Sequence, residues 1–276
     1  MISLRNVSYT YPHSNQAALV NITLDIAVGE FIAVVGKNAS GKSTLARLLN
    51  GMLIPSSGLI TVDGLKITDK QDLVKIRKKV GLLLPSPDNQ IIFNLVEEDV
   101  AFGPGNLGLP TQEIRDRVDT ALRMVSMEEF KKHPPYLLSG GQKQKVALAG
   151  LLAMNPEYLV LDEPTVMLDS QSKQSIIQNI IKINRNLKTT VIMITHDLEE
   201  VIHADRIVLL DEGTIKGILQ PSDLSMNTEK LEKLGIEQIE VIKLIDKLKA
   251  KAQGKLQLSS NSLTVEELVE EICQLS

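Results

Sequence analysis

The chain has 276 residues, of which 43% are hydrophobic, enough for one large folded domain with an appendage. Its 30 basic residues are scattered among 34 acidic ones and its net charge is −4, which excludes the basic surface that nucleic acid binding requires. The apolar runs are too short to span a bilayer, and the N-terminal residues lack the pattern of a secretion signal. These properties predict a cytoplasmic protein without a nucleic acid partner.

The first predicted elements are strands. Alternation of apolar and polar residues, typical of half-buried strands, occurs in ISLRNVSYTY and NITLDIAV. A continuous β-branched run, typical of a buried central strand, follows in GEFIAVVG. We therefore predict short antiparallel strands ahead of a parallel core.

The loop after this buried strand carries a phosphate-binding pattern, because GKNASGKST fits G-x-x-x-x-G-K-[ST] and leads into a helical pattern. In such a loop backbone N–H groups surround a polyphosphate, Lys42 neutralises its β and γ oxygens, and the Ser43 hydroxyl ligates Mg²⁺. Ala39 stands where many relatives have glycine, and we expect that residue 39 needs no positive φ. The predicted nucleotide-binding residues are Gly36, Lys37, Asn38, Ala39, Ser40, Gly41, Lys42, Ser43 and Thr44.

The next predicted strand, VGLLL, ends in the loop PSPDNQ, which runs from Pro85 to Gln90. From about 85 to 155 the chain is poorer in strand patterns and richer in helical and turn patterns, such as FGPGNLGLP and HPPY. We interpret this stretch as a helical subdomain inserted into the core. Its surface is suited to binding a partner.

A second anion-binding pattern lies within this stretch, in LSGGQKQK. Ser139, Gly140, Gly141 and Gln142 open a helix there, where bare N–H groups and the helix dipole favour a phosphate. One nucleotide rarely needs two separate phosphate sites on one chain, so we expect this site to contact the γ-phosphate of a nucleotide bound to another subunit. The alternative is an ordinary capped helix.

Two adjacent carboxylates end the segment YLVLDEP, whose buried strand is YLVLD, at the sheet edge where α/β folds bind ligands. Asp162 is predicted to hold Mg²⁺, and Glu163 to orient the attacking water or accept its proton. By itself, such a pair is often a turn or capping feature. The phosphate-binding loop upstream favours the catalytic interpretation.

The remaining patterns alternate between strand and helix, which predicts an α/β fold with a largely parallel sheet. Helical patterns occur in SQSKQSIIQNIIKINRNL and HDLEEVIHA, and a buried strand in TTVIMIT. An edge hairpin turning at Glu212 and Gly213 is predicted in RIVLLDEGTIKGIL. We place this domain at 1–220.

Residues 221–276 read as a helical C-terminal domain. Thr264 and Glu267 have the spacing of a capping box. An apolar helical face follows, formed by Val265, Leu268, Val269, Ile272 and Leu275. This face either packs on its own domain or mediates dimerisation.

The phosphate-binding loop, LSGGQ, LVLDEPT and ITHD, in this order, resemble the ATP-binding cassette (ABC) ATPases over residues 1 to about 220. The whole chain is similar to the ATPase subunit of energy-coupling factor transporters, on the motifs PDNQ, EEDVAFGP, NLGLP and LTVEELVEEI. This resemblance implies a P-loop fold of ABC type, with an antiparallel β subdomain, an inserted α-helical subdomain and a helical C-terminal appendage.

The resemblance also implies roles for three further residues. Tyr11 matches the aromatic residue that stacks on adenine, the alternative being a buried strand tyrosine. His196 matches the switch histidine that contacts the γ-phosphate, the alternative being a histidine at a helix entry. Asp169 matches the aspartate of a loop that crosses the dimer interface, although Val166 replaces a small polar residue before it.

For the assembly, the resemblance implies two ATP molecules, with Mg²⁺, between two ATPase subunits that are identical or paralogous. It implies a membrane-embedded coupling subunit and a substrate-capture membrane subunit as separate chains, for uptake of a vitamin or transition-metal ion. The ATPase would lie peripherally at the cytoplasmic face of the cell membrane. A soluble regulatory ABC ATPase is the alternative.

Residue 85 departs from the family pattern, which has a coupling glutamine that reaches the Mg²⁺ and the attacking water. Pro85 has no side-chain donor or acceptor, so it does not take that role. Three explanations are open: Gln90, or less readily Ser86 or Asn89, reaches in; the site is slow and depends on a paralogous partner; or residue 85 differs from the natural one. We expect a slower but working site.

Overall fold

Two β-sheets organise the structure, a computed structural model that describes residues 1–251 and 262–274. The smaller sheet is antiparallel and has the strand order β2-β1-β4-β5. Its strands are β1 (Ile2–Thr10), β2 (Ala17–Ile26), β4 (Ser57–Val62) and β5 (Leu65–Lys66). The alternating burial along β1 and β2 agrees with the prediction of half-buried strands.

The larger sheet has the order β10-β9-β3-β8-β7-β6. All its strand pairs are parallel except β9 and β10, which form an antiparallel hairpin. Its strands are β3 (Phe31–Val35), β6 (Val80–Leu83), β7 (Tyr158–Asp162), β8 (Thr190–Thr195), β9 (Arg206–Asp211) and β10 (Thr214–Leu219). As predicted, the hairpin turns at Glu212 and Gly213. Both residues have positive φ.

Helices surround the sheets, and three of them separate β6 from β7. These three are α3 (Val96–Asn106), α4 (Thr111–Met124) and α5 (Gly140–Ala153). The others are α1 (Lys42–Leu49), α2 (Lys70–Lys79), α6 (Ser170–Leu187), α7 (Thr228–Lys233), α8 (Glu240–Lys251) and α9 (Val265–Gln274). No helix in the described part of the chain is long and apolar enough to cross a membrane.

The parallel register brings four loops to one edge of the larger sheet. Val35 is paired with Thr195, Leu83 with Leu161, and Asp162 with Ile194. The loops after β3, β6, β7 and β8 therefore start side by side, at the carboxyl edge where parallel sheets bind their ligands. All the predicted catalytic segments except the start of α5 leave the sheet here.

The C-terminal helices share the core of the preceding domain. Buried side chains of α7, α8 and α9, such as Leu231, Ile245 and Leu268, belong to the same apolar cluster as Phe31 of β3. On the predicted apolar face of α9, Ile272 is partly buried, while the other two described members are exposed, Val265 by 57% and Val269 by 51%. Leu275 lies outside the described residues. Within residues 1–251 and 262–274, only part of this face is thus covered.

One predicted helix is wrong. The segment HDLEEVIHA forms a single 3₁₀ turn, Leu198–Glu200, instead of a helix. The Asp197 side chain caps this turn, but the backbone N–H of Asp205 donates to Phe31 O, and β9 begins at the next residue. The segment must return to the sheet too soon for a helix to continue.

Candidate functional site

The phosphate-binding loop requires glycine at two positions. A Cβ on Gly36 would lie 2.1 Å from the backbone oxygen of Leu210, much closer than two such atoms can approach. Gly41 has φ 103° as the N-cap of α1, and a Cβ there would lie 2.6 Å from the backbone oxygen of Ala18. The loop therefore folds against the neighbouring backbone in a way that only glycine allows.

The expectation for residue 39 is wrong, because Ala39 adopts a left-handed conformation with φ 64°. The backbone N–H of Ser40 donates to Lys37 O, 3.2 Å away, and this tight turn is closed across residue 39. A left-handed alanine costs about 1–2 kcal/mol through the clash of its Cβ with the backbone. The loop tolerates this cost without a glycine.

The Lys42 ammonium lies inside the loop. Its Nζ donates to Gly36 O at 2.6 Å and to Lys37 O at 2.9 Å. Burial lowers the pKa of Lys42, while the nearby carboxylates of Glu163 and Asp162 oppose that shift. A cation is thus held at the centre of the loop, where phosphate oxygens would replace the carbonyl contacts.

Asp162 has the environment of a metal ligand. It is fully buried and close to the Ser43 hydroxyl, but neither carboxylate oxygen has a well-formed hydrogen bond from the described residues. Burial raises the pKa of Asp162, and the Glu163 charge adds to this, while Ser43, Arg47 and Lys42 oppose it. An unsatisfied buried carboxylate is costly unless a cation compensates it.

The donor set at this position fits Mg²⁺. Carboxylate and hydroxyl oxygens, as Asp162 and Ser43 supply, are its preferred protein ligands, and the ion commonly takes its remaining ligands from water and substrate phosphates. Within residues 1–251 and 262–274, no group of three or more His, Cys, Asp or Glu side chains is placed to hold a metal by itself. The residues present therefore fit a phosphate-bound Mg²⁺ better than a fully protein-bound metal.

Glu163 and His196 are in direct contact. The His196 Nδ1 lies 2.9 and 3.0 Å from the two carboxylate oxygens of Glu163. Glu163 has a left-handed φ of 53°, and its N–H donates to Ile194 O on β8. Strained backbone of this kind is concentrated at functional sites, where the surrounding structure holds it in place. The Glu163 side chain is mostly buried, while that of His196 is 57% exposed.

A cavity of about 530 Å³ joins these residues. Tyr11, Pro85, Val166 and the Glu163–His196 pair line it together with Ala18 and loop residues, which are Asn38, Ala39, Gly41, Lys42, Ser43 and Thr44. Its volume is within the range of small-molecule sites. The structure thus brings one side of the predicted nucleotide site together in a single chain.

Tyr11 lies at the edge of this cavity, half-buried just beyond the end of β1. Its hydroxyl is 3.0 Å from Thr44 Oγ1 and accepts a hydrogen bond from Arg47 at 3.4 Å. Its ring packs edge-on against Tyr9 with centroids 4.9 Å apart. Tyr11 is therefore fixed at the cavity and is not a buried strand residue.

Ser139 begins α5 away from this cavity. Its hydroxyl accepts from the Gln142 N–H at 3.2 Å, and its own N–H donates to Gln142 Oε1 at 2.9 Å. Asp169 likewise caps α6, accepting from the Ser172 N–H at 2.9 Å, and this hydrogen bond lowers the pKa of Asp169. Both caps are exposed. Neither Ser139 nor Asp169 is among the described residues that line the cavity of the same chain.

Pro85 and Gln90 face different spaces. Pro85 lines the nucleotide cavity, whereas the Gln90 amide accepts from the Leu84 N–H at 3.0 Å and donates to Leu82 O at 3.2 Å. Gln90 lines a separate groove of about 370 Å³ with Asn89 and Phe102. This arrangement removes support from the explanation that Gln90 replaces a glutamine at residue 85.

Motif reasoning missed an ionic cluster around the buried Glu200, close to the catalytic pair. Lys173 forms ion pairs with Asp197 and with Glu200, the latter at 3.0 Å, and the Thr165 hydroxyl donates to Glu200. Glu200 is 4% exposed. The sequence signal was slight, because these residues belong to three segments that only the fold brings together.

Similar proteins were found over nearly the whole chain. The ABC transporter family matches residues 19–166. The chain is 51% identical to the energy-coupling factor transporter ATP-binding protein EcfA of Syntrophomonas wolfei over 273 residues, 99% of each chain. It is 42% identical to EcfA1 of Clostridium novyi over 278 residues, 100% of this chain and 98% of that relative.

Two solved structures resemble the fold closely. CbiO1 from Clostridium perfringens, part of the ABC transporter complex CbiONQ, has a TM-score of 0.75 and 35% identity, covering 89% of this chain and 98% of that one. The dimeric ATP-binding cassette MJ0796 bound to ADP and Pi also has a TM-score of 0.75, with 33% identity over 80% of this chain and 99% of that one.

Proposed function

The chain belongs to the ABC transporter family as an ATPase subunit of the energy-coupling factor type, and on this premise we propose that it powers uptake of a vitamin or transition-metal ion. The observation that carries the proposal is the shared cavity in which the phosphate-binding loop faces Glu163 and His196. A metal-compatible carboxylate, Asp162, lies close to Ser43 and Lys42 of that loop.

ATP binding would use the loop as a phosphate site. The triphosphate would accept hydrogen bonds from the N–H groups between Gly36 and Thr44, and Lys42 would exchange its carbonyl contacts for β and γ oxygens. The Tyr11 ring is placed to stack on the base. When bound by Ser43 and Asp162, Mg²⁺ would neutralise charge on the phosphate oxygens.

Hydrolysis would depend on the contact between Glu163 and His196. The Glu163 carboxylate would accept a proton from water as the water attacks the γ-phosphorus and the bond to the β-phosphate oxygen breaks. Because Nδ1 of His196 contacts Glu163, Nε2 is the ring nitrogen that would face a γ-phosphate oxygen. The pair therefore orients the water and stabilises charge on the phosphate.

The second half of the site would come from another ATPase subunit. Ser139 and Gly140 are exposed, and the first N–H groups of α5 have no partner inside the helix. Exposed apolar side chains flank them, Tyr136 and Leu137 before α5 and Met167 in the loop before Asp169. We assign this surface to the contact with an identical or paralogous subunit, so that two ATP molecules lie in the dimer interface.

The groove lined by Gln90 would receive the membrane-embedded coupling subunit. Phe102 is 45% exposed there and packs at 5.3 Å between ring centroids against Phe93, next to Ile92, which is 63% exposed. A contiguous apolar patch of this kind is typical of an interaction site. In this arrangement the chain is peripheral at the cytoplasmic face of the membrane, and a further membrane subunit captures the substrate.

Affinity purification from detergent-solubilised native membranes tests this assignment. We expect the tagged chain to recover a second ATPase chain, or a second copy of itself, together with hydrophobic membrane subunits, and the complex to hydrolyse MgATP. Recovery of the chain only in soluble complexes without membrane subunits would contradict the transporter assignment and favour a regulatory ATPase.

A further inference from the structure

The ionic cluster around Lys173 joins three segments of the nucleotide site. The Lys173 ammonium on α6 lies 3.0 Å from Glu200 Oε1 and also contacts Asp197. Glu200 in turn accepts a hydrogen bond from the Thr165 hydroxyl. One ammonium and one buried carboxylate thus connect α6, the loop after β7 and the loop after β8.

Each connected segment carries a residue of the proposed active site. Asp197 follows His196 directly, and Thr165 lies two residues after Glu163. The Lys173 N–H donates to the backbone oxygen of Asp169, at 2.8 Å, within the first turn of α6. The cluster therefore connects α6, which Asp169 caps, to the backbone on both sides of the Glu163–His196 contact.

The cost of the cluster argues against a packing role. The side chain of Glu200 is only 3% exposed, and its Oε2 accepts no hydrogen bond from the described residues. A carboxylate loses several kcal/mol of hydration when it is buried, and an apolar residue of similar size is often as stable or more stable at such a position. Stability alone therefore does not account for a buried glutamate paired with a partly buried lysine here.

The lysine is charged in this environment. Burial acts to lower the pKa of Lys173, but the carboxylates of Asp197 and Glu200 outweigh it and raise the pKa above its ordinary value. Lys173 therefore forms two ion pairs, with Asp197 and Glu200, which hold the loop after β8 close to α6. The hydrogen bond from Thr165 to Glu200 connects the loop after β7 to them.

We propose that Lys173 and Glu200 are positioning residues, which hold Glu163 and His196 in the geometry for hydrolysis without touching ATP themselves. This proposal rests on the proposed function and deepens it. Neither Lys173 nor Glu200 lines the nucleotide cavity in the described structure, so their loss should affect kcat and leave nucleotide binding unchanged. A misplacement of about 1 Å at a reacting centre can lower a rate roughly 100-fold.

The test compares MgATP turnover in the purified complex for Lys173→Met, Lys173→Arg, Glu200→Gln and the double variant Lys173→Met with Glu200→Leu. We expect Lys173→Met and Glu200→Gln to lower kcat by roughly 10- to 100-fold with KM within about twofold of wild type. Lys173→Arg, which keeps the charge, should retain most of the rate. The double variant should recover thermal stability but not kcat.

Lys131→Met provides a matched control. Lys131 also pairs with two carboxylates, Asp119 at 2.6 Å and Glu97 at 3.7 Å, and its side chain is 31% exposed, against 28% for Lys173. This control should leave kcat unchanged, since its pairs lie among α3, α4 and the segment after α4.

A purely structural role would give a different result. If the double variant were as stable as wild type and hydrolysed ATP at the wild-type rate, the positioning proposal would be wrong. The same holds if Lys173→Met changed KM and not kcat, or if Lys173→Met and Glu200→Gln both kept the wild-type kcat. An absence of MgATP turnover in the wild-type complex would instead overturn the proposed function.

Discussion

His196 Nδ1 lies 2.9 Å from a carboxylate oxygen of Glu163, and the two residues follow adjacent parallel strands of the larger sheet. The register of those strands, in which Asp162 is paired with Ile194, sets this contact. A shift by one residue would turn the alternate side chains of a strand to the other face of the sheet. The relative positions of the acidic pair and the histidine are thus a consequence of the sheet itself.

Replacing Pro85 with glutamine should raise MgATP turnover several-fold. Pro85 lines the cavity that holds Glu163 and His196, and a glutamine there adds a donor and an acceptor at the position of the missing coupling residue. Steady-state ATPase measurement on the purified complex checks this, with Ser86→Gln as a control that adds the same side chain outside the cavity. If Pro85→Gln changed neither turnover, nor Mg²⁺ dependence, nor transport, a glutamine at residue 85 would be dispensable.

Phe102→Asp should weaken assembly with the membrane subunits at least tenfold and leave ATP binding by the chain unchanged. The substitution places a charge in the apolar groove beside Gln90, and a tenfold loss corresponds to about 1.4 kcal/mol. Titration of the chain into the purified membrane subunits measures the effect. Ile218→Asp is the matched control, since Ile218 is 45% exposed, like Phe102, but lies on β10. Equal weakening by both variants would argue against the groove as the docking site.

Ala39→Gly should stabilise the chain by about 0.5–1 kcal/mol. Glycine removes the clash of an alanine Cβ at φ 64°, and the greater entropy of glycine in the unfolded chain offsets part of this gain. Thermal unfolding without nucleotide should show a Tm higher by roughly 1–4 °C. Ala17→Gly, at an exposed position without positive φ, should lower the Tm slightly; a decrease for both variants would contradict the strain at residue 39.

Asp162→Asn should make the nucleotide-free chain more stable at neutral pH. Because burial raises the pKa of Asp162 above its unfolded value, the stability associated with the protonated form is lost as the pH rises through the folded-state pKa. The variant should therefore exceed wild type in Tm at pH 7–8, and the difference should shrink as the pH falls.

The same variant should lose the stabilisation that MgATP gives to wild type, because an amide is a weaker Mg²⁺ ligand than a carboxylate. Unfolding curves across pH, with and without MgATP, test both parts. If MgATP stabilised Asp162→Asn as much as it stabilises wild type, Asp162 would be excluded as the Mg²⁺ ligand.

Elements with strong local signals were predicted correctly from the sequence. The helix from Ser170 to Leu187 follows a capping aspartate, Asp169, and has apolar residues at helical spacing from Ile176 onward, and its predicted bounds match the structure. The strand Tyr158–Asp162 is a continuous apolar run that ends in an acidic pair, and it too has the predicted bounds.

The errors arose where distant contacts decide the local structure. The segment after His196 has helical spacing, but its return to Phe31 limits it to one 3₁₀ turn. The loop imposes the positive φ of Ala39, and the alanine itself gives no sign of it, although many relatives have glycine there. The Lys173–Glu200 pair was not predicted either, since 27 positions separate the two residues and no spacing rule joins them.

Measurement of retained nucleotide in Glu163→Gln tests the central claim most directly. The purified complex, wild type or variant, is incubated with labelled ATP and Mg²⁺, separated from free nucleotide by gel filtration, and assayed for bound ATP and ADP. We predict that Glu163→Gln lowers turnover by at least roughly 100-fold at its site and retains unhydrolysed ATP in a closed dimer. If the Glu163→Gln complex kept the wild-type turnover and retained no more ATP than the wild-type complex, Glu163 would not be the residue that activates water.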